Sequence, residues 1–259
     1  MLDQLQPEAR PQALVLPGSP CPRESIIVFP GSFNPPTIAH LALLKQARRY
    51  AQLHQPMGLY AAFSKHTVDK EAVERPLLLD RITLLEKLLQ RRIPKAGIML
   101  FNRGLYLEQA EALRQSFPKV RRILFLMGFD KLVQIFDPRY YTDRDAALSQ
   151  LFELAELLVA PRGNQDRDDI MAILQRPENQ RFASAVHPLP FDPAYRSISS
   201  TEVRQGAEGS SHEVPQEVRQ FMRQTRAYAE PLRRDDGTEI DCYEERKKRL
   251  RTILGRPVS

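Results

Sequence analysis

Short apolar runs alternate with helix-period segments through most of this chain, and that alternation narrows the fold more than any other feature. "IIVF" (Ile26 to Phe29), "GLYAAF" (Gly58 to Phe63), "GIMLF" (Gly97 to Phe101), "ILFLM" (Ile123 to Met127) and "ELLVA" (Glu156 to Ala160) have the length and content of buried strands. "RFASAVH" (Arg181 to His187) offers a sixth. Between them Leu41, Leu44, Ala47 and Ala51, then Leu78, Ile82, Leu85 and Leu89, then Leu107, Ala110 and Leu113 recur at helical spacing. Val214 to Tyr228 reads as a last packed helix with Pro215 in its first turn. Strands alternating with helices predict βαβ units: an α/β fold with a doubly wound, mainly parallel sheet and helices on both faces.

In open parallel sheets, ligands sit outside the carboxyl ends of the strands. The unusual polar residues fall there: "PGSFNPPT" after the first run, "SKH" after the second, "NRG" after the third, "GFD" after the fourth and "PRGNQD" after the fifth. Loops scattered in sequence thus converge on one rim. Composition agrees with a soluble enzyme or binding domain, with 42% hydrophobic and 27% charged residues. No run approaches the ~20 apolar residues of a membrane span, so no membrane partner is expected. Cys21 and Cys242 form neither a zinc spacing nor a disulfide framework, which points to a reducing, intracellular compartment. The cytoplasm is expected, with the nucleus left open by "EERKKRLR" (Glu244 to Arg251), otherwise a solvated helical face. A net charge of +6 suits anionic small molecules and points to no specific nucleic acid. Pro7, Pro11, Pro17, Pro20 and Pro22 mark residues 1–24 as a flexible leader, residues 25–229 as the folded domain and residues 230–259 as a charged tail. A homo-oligomeric state stays open.

The loop "FPGSFNPPTIAH" (Phe29 to His40) carries more special residues than a reversal needs. Gly31 permits close backbone approach, and the amides of Ser32 and Phe33 can line a phosphate. Pro35 and Pro36 stiffen the turn, Thr37 is placed as an N-cap, and His40 falls one turn inside the helix. The loop is neither GxGxxG nor a Walker A sequence. Far along the chain, "ISSTEVR" (Ile198 to Arg204) starts a helix with an S-x-x-E capping box on Ser199 and Glu202. That helix start would present Ser200 and Thr201 to a phosphate, followed by Arg204.

Together "GSFNPPTIAH" and "ISSTEVR" resemble the GSFNPxHxGH and ISSTxxR hallmarks of the nucleotidylyltransferase superfamily, and in particular its nicotinamide/nicotinate mononucleotide adenylyltransferases. "LFLMGFD", "LLVAPRG" and "EVPQEVRQFMRQTRAY" resemble later elements of the same enzymes, so the resemblance covers residues 26–228. "GLYLEQAEAL" and "GFDKLVQIFDPRYY" are most similar to a eukaryotic, fungal-type branch. The resemblance implies a Rossmann-like fold that joins a pyridine mononucleotide to AMP from ATP and releases pyrophosphate, with Mg²⁺ accompanying the ATP. It implies His40, Thr37 and Arg204 as catalytic residues. It implies Gly31, Ser32, Phe33, Asn34, Lys65, Gly128, Asp130, Arg162, Ser199, Ser200 and Thr201 as ATP- or substrate-binding residues, and no protein metal ligands. Lys65, His66 and Lys70 are the candidates for the incoming phosphate. Two departures stand out. Thr37 and Ala39 replace the first histidine and the glycine of HxGH, and the family's pyridine-side tryptophan is absent because the chain has none. Tyr140 or Tyr141 is expected to stack in its place. Two alternatives stay open. One is the same fold with phosphopantetheine, or CTP and an alcohol phosphate, as substrates; the other is a nucleotide-binding protein that has lost transfer.

Overall fold

The structure is a computed structural model that describes residues 5–65, 75–206 and 212–253. In chain order its elements are β1 (Ala13–Val15), β2 (Glu24–Pro30), α1 (Ile38–His54), β3 (Gly58–Ser64), α2 (Leu78–Arg92), β4 (Gly97–Phe101), α3 (Tyr106–Ser116), β5 (Val120–Gly128) and α4 (Phe129–Phe136). They continue as α5 (Arg144–Leu154), β6 (Glu156–Ala160), α6 (Arg167–Leu174), β7 (Val186–Pro188), α7 (Ser200–Gln205), α8 (Gln216–Thr225), β8 (Leu232–Arg233), β9 (Glu239–Ile240) and α9 (Cys242–Ile253). Seven strands form one sheet in the order β1-β4-β3-β2-β5-β6-β7, parallel throughout except for β1, which runs antiparallel to β4. The expected Rossmann-like, doubly wound α/β architecture is therefore present.

The two-residue period of the strands divides the core in two. Ile27, Leu59, Ala61, Phe63, Ile98, Leu100, Leu124, Leu126 and Leu158 pack with Leu44 of α1, Leu85 and Leu88 of α2 and Val218 of α8. Their sequence neighbours Ile26, Val28, Tyr60, Met99, Phe125, Met127 and Leu157 pack with Leu113 of α3, Leu148 and Leu151 of α5 and Ile170 of α6 on the opposite face. Burial of both strand faces explains why these runs are continuously apolar rather than alternating. The chain winds from β2 outward through β3 and β4, then crosses to the other side of β2 for β5, β6 and β7. The topological switch point lies at the carboxyl ends of β2 and β5, where this class of sheet opens a crevice.

Four expectations need correction. "RFASAVH" is mostly a 3-10 helix over Gln180–Ala185, and only Val186–Pro188 joins the sheet. Residues 1–24 are not simply a flexible leader: they supply β1, they begin β2 at Glu24, and they bury Leu5 at 1% exposure. The charged tail is docked as well. Tyr243 of α9 is fully buried, its amide neighbour Asp241 pairs with Arg75, and its hydroxyl meets the amide of Leu77 at 2.7 Å and Asp80 at 2.6 Å. Its charges do face solvent in part, but one turn of α9 anchors the start of α2. Pro215 stands at the N-cap of α8 rather than inside its first turn.

Candidate active site at the switch point

The loop after β2 is shaped by the burial of one ring. Phe33 has φ 43°, a left-handed conformation that costs a non-glycine residue of order 1–3 kcal/mol. Its ring is fully buried and lies 5.4 Å from Phe29, 5.2 Å from Phe63 and 5.1 Å from His40, centroid to centroid. That packing holds the strained residue and folds the ring beneath Gly31, where an added Cβ would meet it at 3.0 Å. Glycine is needed here for space. The Gly31 amide donates to the Ala62 carbonyl at 2.9 Å, which ties the turn to β3.

His40 is held in one tautomer by Thr37. The Thr37 backbone N–H donates to His40 Nδ1 at 3.0 Å, and Thr37 Oγ1 lies 2.8 Å from the same nitrogen. A backbone amide can only donate, so Nδ1 accepts and the ring proton resides on Nε2. Burial, seconded by the positive charge of Arg162, lowers the His40 pKa to about 4. At neutral pH His40 is an uncharged imidazole with a single N–H to offer.

The start of α7 is bolted to this loop. Ser200 Oγ donates to the Pro35 carbonyl at 2.7 Å, and Arg204 Nη1 donates to the Asn34 carbonyl at 2.5 Å while Nη2 reaches Thr201 Oγ1 at 3.1 Å. Ser199 caps the helix through the Glu202 amide at 3.1 Å. Residues 165 or more apart in sequence thus share one wall. Across from it, Arg162 after β6 pairs with Asp130 after β5 at 3.0 Å, both side chains about half exposed.

These elements surround a cavity of about 240 Å³. Of the residues singled out from sequence, Gly31, Ser32, His40, Gly128, Arg162, Ser199, Ser200, Thr201 and Arg204 line it. Asp130 reaches it only through Arg162. Others lie elsewhere. Thr37 is fully buried and acts on His40 rather than facing the cavity. Phe33 is a core side chain, and Asn34 is buried between the Tyr228 hydroxyl at 2.6 Å and the Arg75 carbonyl at 3.3 Å. Lys65 donates to the Leu5 carbonyl at 2.8 Å. Tyr140 sits on a separate single turn, and Tyr141 donates to the Ile135 carbonyl at 2.7 Å, so neither tyrosine lines the cavity. His66 and Lys70 lie outside the described residues. Sequence reasoning missed Tyr106, Lys131 and Tyr195, which do line it. The signal for Tyr106 was present, since it opens the helix directly after the "NRG" rim loop. Among the described residues, no cluster of three or more histidine, cysteine or acidic side chains is placed to hold a metal ion.

The switch-point cavity thus joins a close-packed glycine turn, a tautomer-fixed histidine and an arginine-bearing helix start. Residues 28–206 match the cytidylyltransferase-like family model, which covers more than half of the chain, so the chain belongs to that family of nucleotidyltransferases. It is 24% identical over 140 residues to a Schizosaccharomyces pombe protein provisionally described as a nicotinamide mononucleotide adenylyltransferase. The match covers 53% of this chain and 53% of the relative, so it spans about half the length of that protein. A solved structure from Vibrio parahaemolyticus, provisionally described as a nicotinate-nucleotide adenylyltransferase, aligns over 77% of this chain and 98% of its own, at 11% identity and a TM-score of 0.32. Among the described residues, no helix is long and apolar enough to cross a membrane.

Proposed function

We propose that the protein transfers AMP from ATP to a pyridine mononucleotide and releases pyrophosphate. The observation that carries this reading is the joining of two remote segments, Gly31 to His40 and Ser199 to Arg204, around one cavity with His40 as a neutral Nε2–H donor. In-line attack by the acceptor's phosphate on the α-phosphorus needs no protein nucleophile. Positioning and charge stabilisation suffice. His40 would donate to an α-phosphate oxygen, which gains charge in the transition state. Arg204 and the α7 start would hold the outer phosphates. Arg162 would exchange Asp130 for phosphate or ribose when ATP enters. Mg²⁺ would arrive on the triphosphate as part of the substrate.

Tyr106 replaces Tyr140 and Tyr141 as the proposed pyridine-facing aromatic. It lines the cavity with its ring edge-on to Phe125 at 5.1 Å, and burial raises the pKa of its hydroxyl, so it stays a neutral phenol. The likeness to the fission-yeast protein supports the same acceptor. A cytidylyl reading is favoured by one observation, the description of the matched family. An acceptor panel with ATP or CTP, read by mass spectrometry, decides between them. Dinucleotide from ATP and nicotinamide or nicotinate mononucleotide is the expected product. Product only from CTP, or only from phosphopantetheine, would reassign the substrate, and nucleotide binding without any product would end the transfer reading.

A further inference from the structure

Arg81 is an unusual residue to find where it lies. It is on α2, 8% exposed, and its Nη1 donates to the Ser32 carbonyl at 2.9 Å. Its guanidinium carbon stands 5.9 Å from the centre of the Phe63 ring, and its Nε has no hydrogen-bond partner. Among the described residues, no carboxylate forms an ion pair with it. Its neighbour Asp80 is already engaged by Arg246 and the Tyr243 hydroxyl, both at 2.6 Å. The nearby hydroxyls of Tyr228 and Tyr243 are kept neutral by burial, so they do not balance it either. Burying a cation without a counter-charge is costly, and a chain gains nothing in stability from doing so.

The location explains the cost. Ser32 lines the cavity and Arg81 does not, yet Arg81 holds the Ser32 carbonyl. That bond orients the Ser32–Phe33 peptide and places one full positive charge beside it. Screening by water is weak at a buried position, so this charge acts on the cavity at a range where surface lysines do not. We infer that Arg81 is a positioning and charge-supplying residue whose missing counter-ion is the polyphosphate of the bound nucleotide. It never touches that ligand and works through the Ser32 backbone and through its field. This inference rests on the nucleotidyl-transfer reading but does not depend on which acceptor is used.

Inorganic pyrophosphate is the probe, because it carries the phosphate chemistry without base or acceptor. Calorimetric Kd values at two salt concentrations are to be compared for wild type, Arg81→Lys and Arg81→Met, beside the melting temperature of each unliganded protein. Arg81→Met is expected to weaken pyrophosphate binding about tenfold, which is about 1.4 kcal/mol. Its melting temperature is expected to equal or exceed that of wild type, since an uncompensated buried charge is gone. Arg81→Lys keeps the charge and is expected to retain affinity within about threefold. Equal binding by wild type and Arg81→Met overturns the inference while leaving the transfer reading intact. So does an equal loss in both variants accompanied by lower melting temperatures, which marks a purely structural role. If the wild type itself binds no pyrophosphate, the inference and the transfer reading fall together.

Discussion

The rim of the sheet has two halves, one at the topological switch point and one beside it, and both carry polar loops. At the carboxyl ends of β2, β5 and β6 the loops open onto the cavity, which Ser32, His40 and Arg162 line together with Ser200 and Arg204 of α7. At the ends of β3 and β4 the same kind of loop is covered. Asn102 is fully buried, with its Nδ2 shared among the carbonyls of Gln6, Ala9 and Arg10 and its Oδ1 accepting from the Gln12 amide at 2.8 Å. Arg103 reaches the Ala9 carbonyl, and Lys65 the Leu5 carbonyl. The N-terminal segment has taken up Lys65, which sequence reading assigned to a ligand, and the polar groups of the "NRG" rim loop. Polar side chains on the covered half are spent on the leader's backbone, whereas those on the open half still line the cavity.

The largest effect separating the halves is kinetic. His40→Ala is expected to lower kcat by about 10²–10³, the scale of one lost preorganised donor, with a smaller change in KM for ATP. Steady-state assays check it, and an unchanged kcat would remove the open half from the chemistry. On the covered half the effect should be structural instead. Asn102→Ala leaves four backbone groups of the leader without their partner. It is expected to cost about 2–3 kcal/mol in urea unfolding while leaving the Kd for ATP unchanged. A variant of normal stability with weakened ATP binding would reverse the assignment.

A pH experiment sharpens the same contrast. His40 has a folded-state pKa of about 4 against an ordinary 6.5, so the unfolded chain takes up its proton first. Stability from this group is complete above pH 6.5 and declines as pH falls toward 4. At pH 5 the loss is expected to be roughly 1–2 kcal/mol relative to pH 7.5, and absent in His40→Asn. Glu156, held down to about 2 by hydrogen bonds from Arg122 and His187 against the opposing effect of its burial, loses its contribution only below about pH 4.5. The two windows are therefore separable. An identical decline in wild type and His40→Asn between pH 7.5 and 5 would show that His40 is not the group. The smallest effect belongs to the exposed Asp130–Arg162 pair. Asp130→Asn is expected to change stability by less than about 1 kcal/mol and to shift KM for ATP only a few-fold, because a half-exposed pair contributes little.

The central sheet was legible because burial on both faces writes continuous apolar runs, as in "GIMLF" and "ELLVA", whose bounds the strands reproduce. "RFASAVH" misled because Phe182 is buried from a 3-10 turn, and a short apolar pattern does not distinguish that from a strand. Nine cavity residues were legible from loop position and resemblance. Two of the misassigned ones have their polar atoms consumed by contacts distant in sequence. Asn34 meets Tyr228, 194 positions away, and Lys65 meets Leu5, 60 positions away. The same holds for the two ends of the chain. Proline content at one end and charge at the other hid a strand of three residues and one buried tyrosine, because single anchoring contacts leave almost no periodic signal.

The direct test of the two-halves account is amide hydrogen exchange with and without saturating ATP. Protection should rise at residues 31–40 and 198–204 and stay unchanged at 98–104, where the leader already covers the backbone. Protection that appeared at the ends of β3 and β4, with none at residues 31–40, would contradict it and place the nucleotide on the other half of the rim.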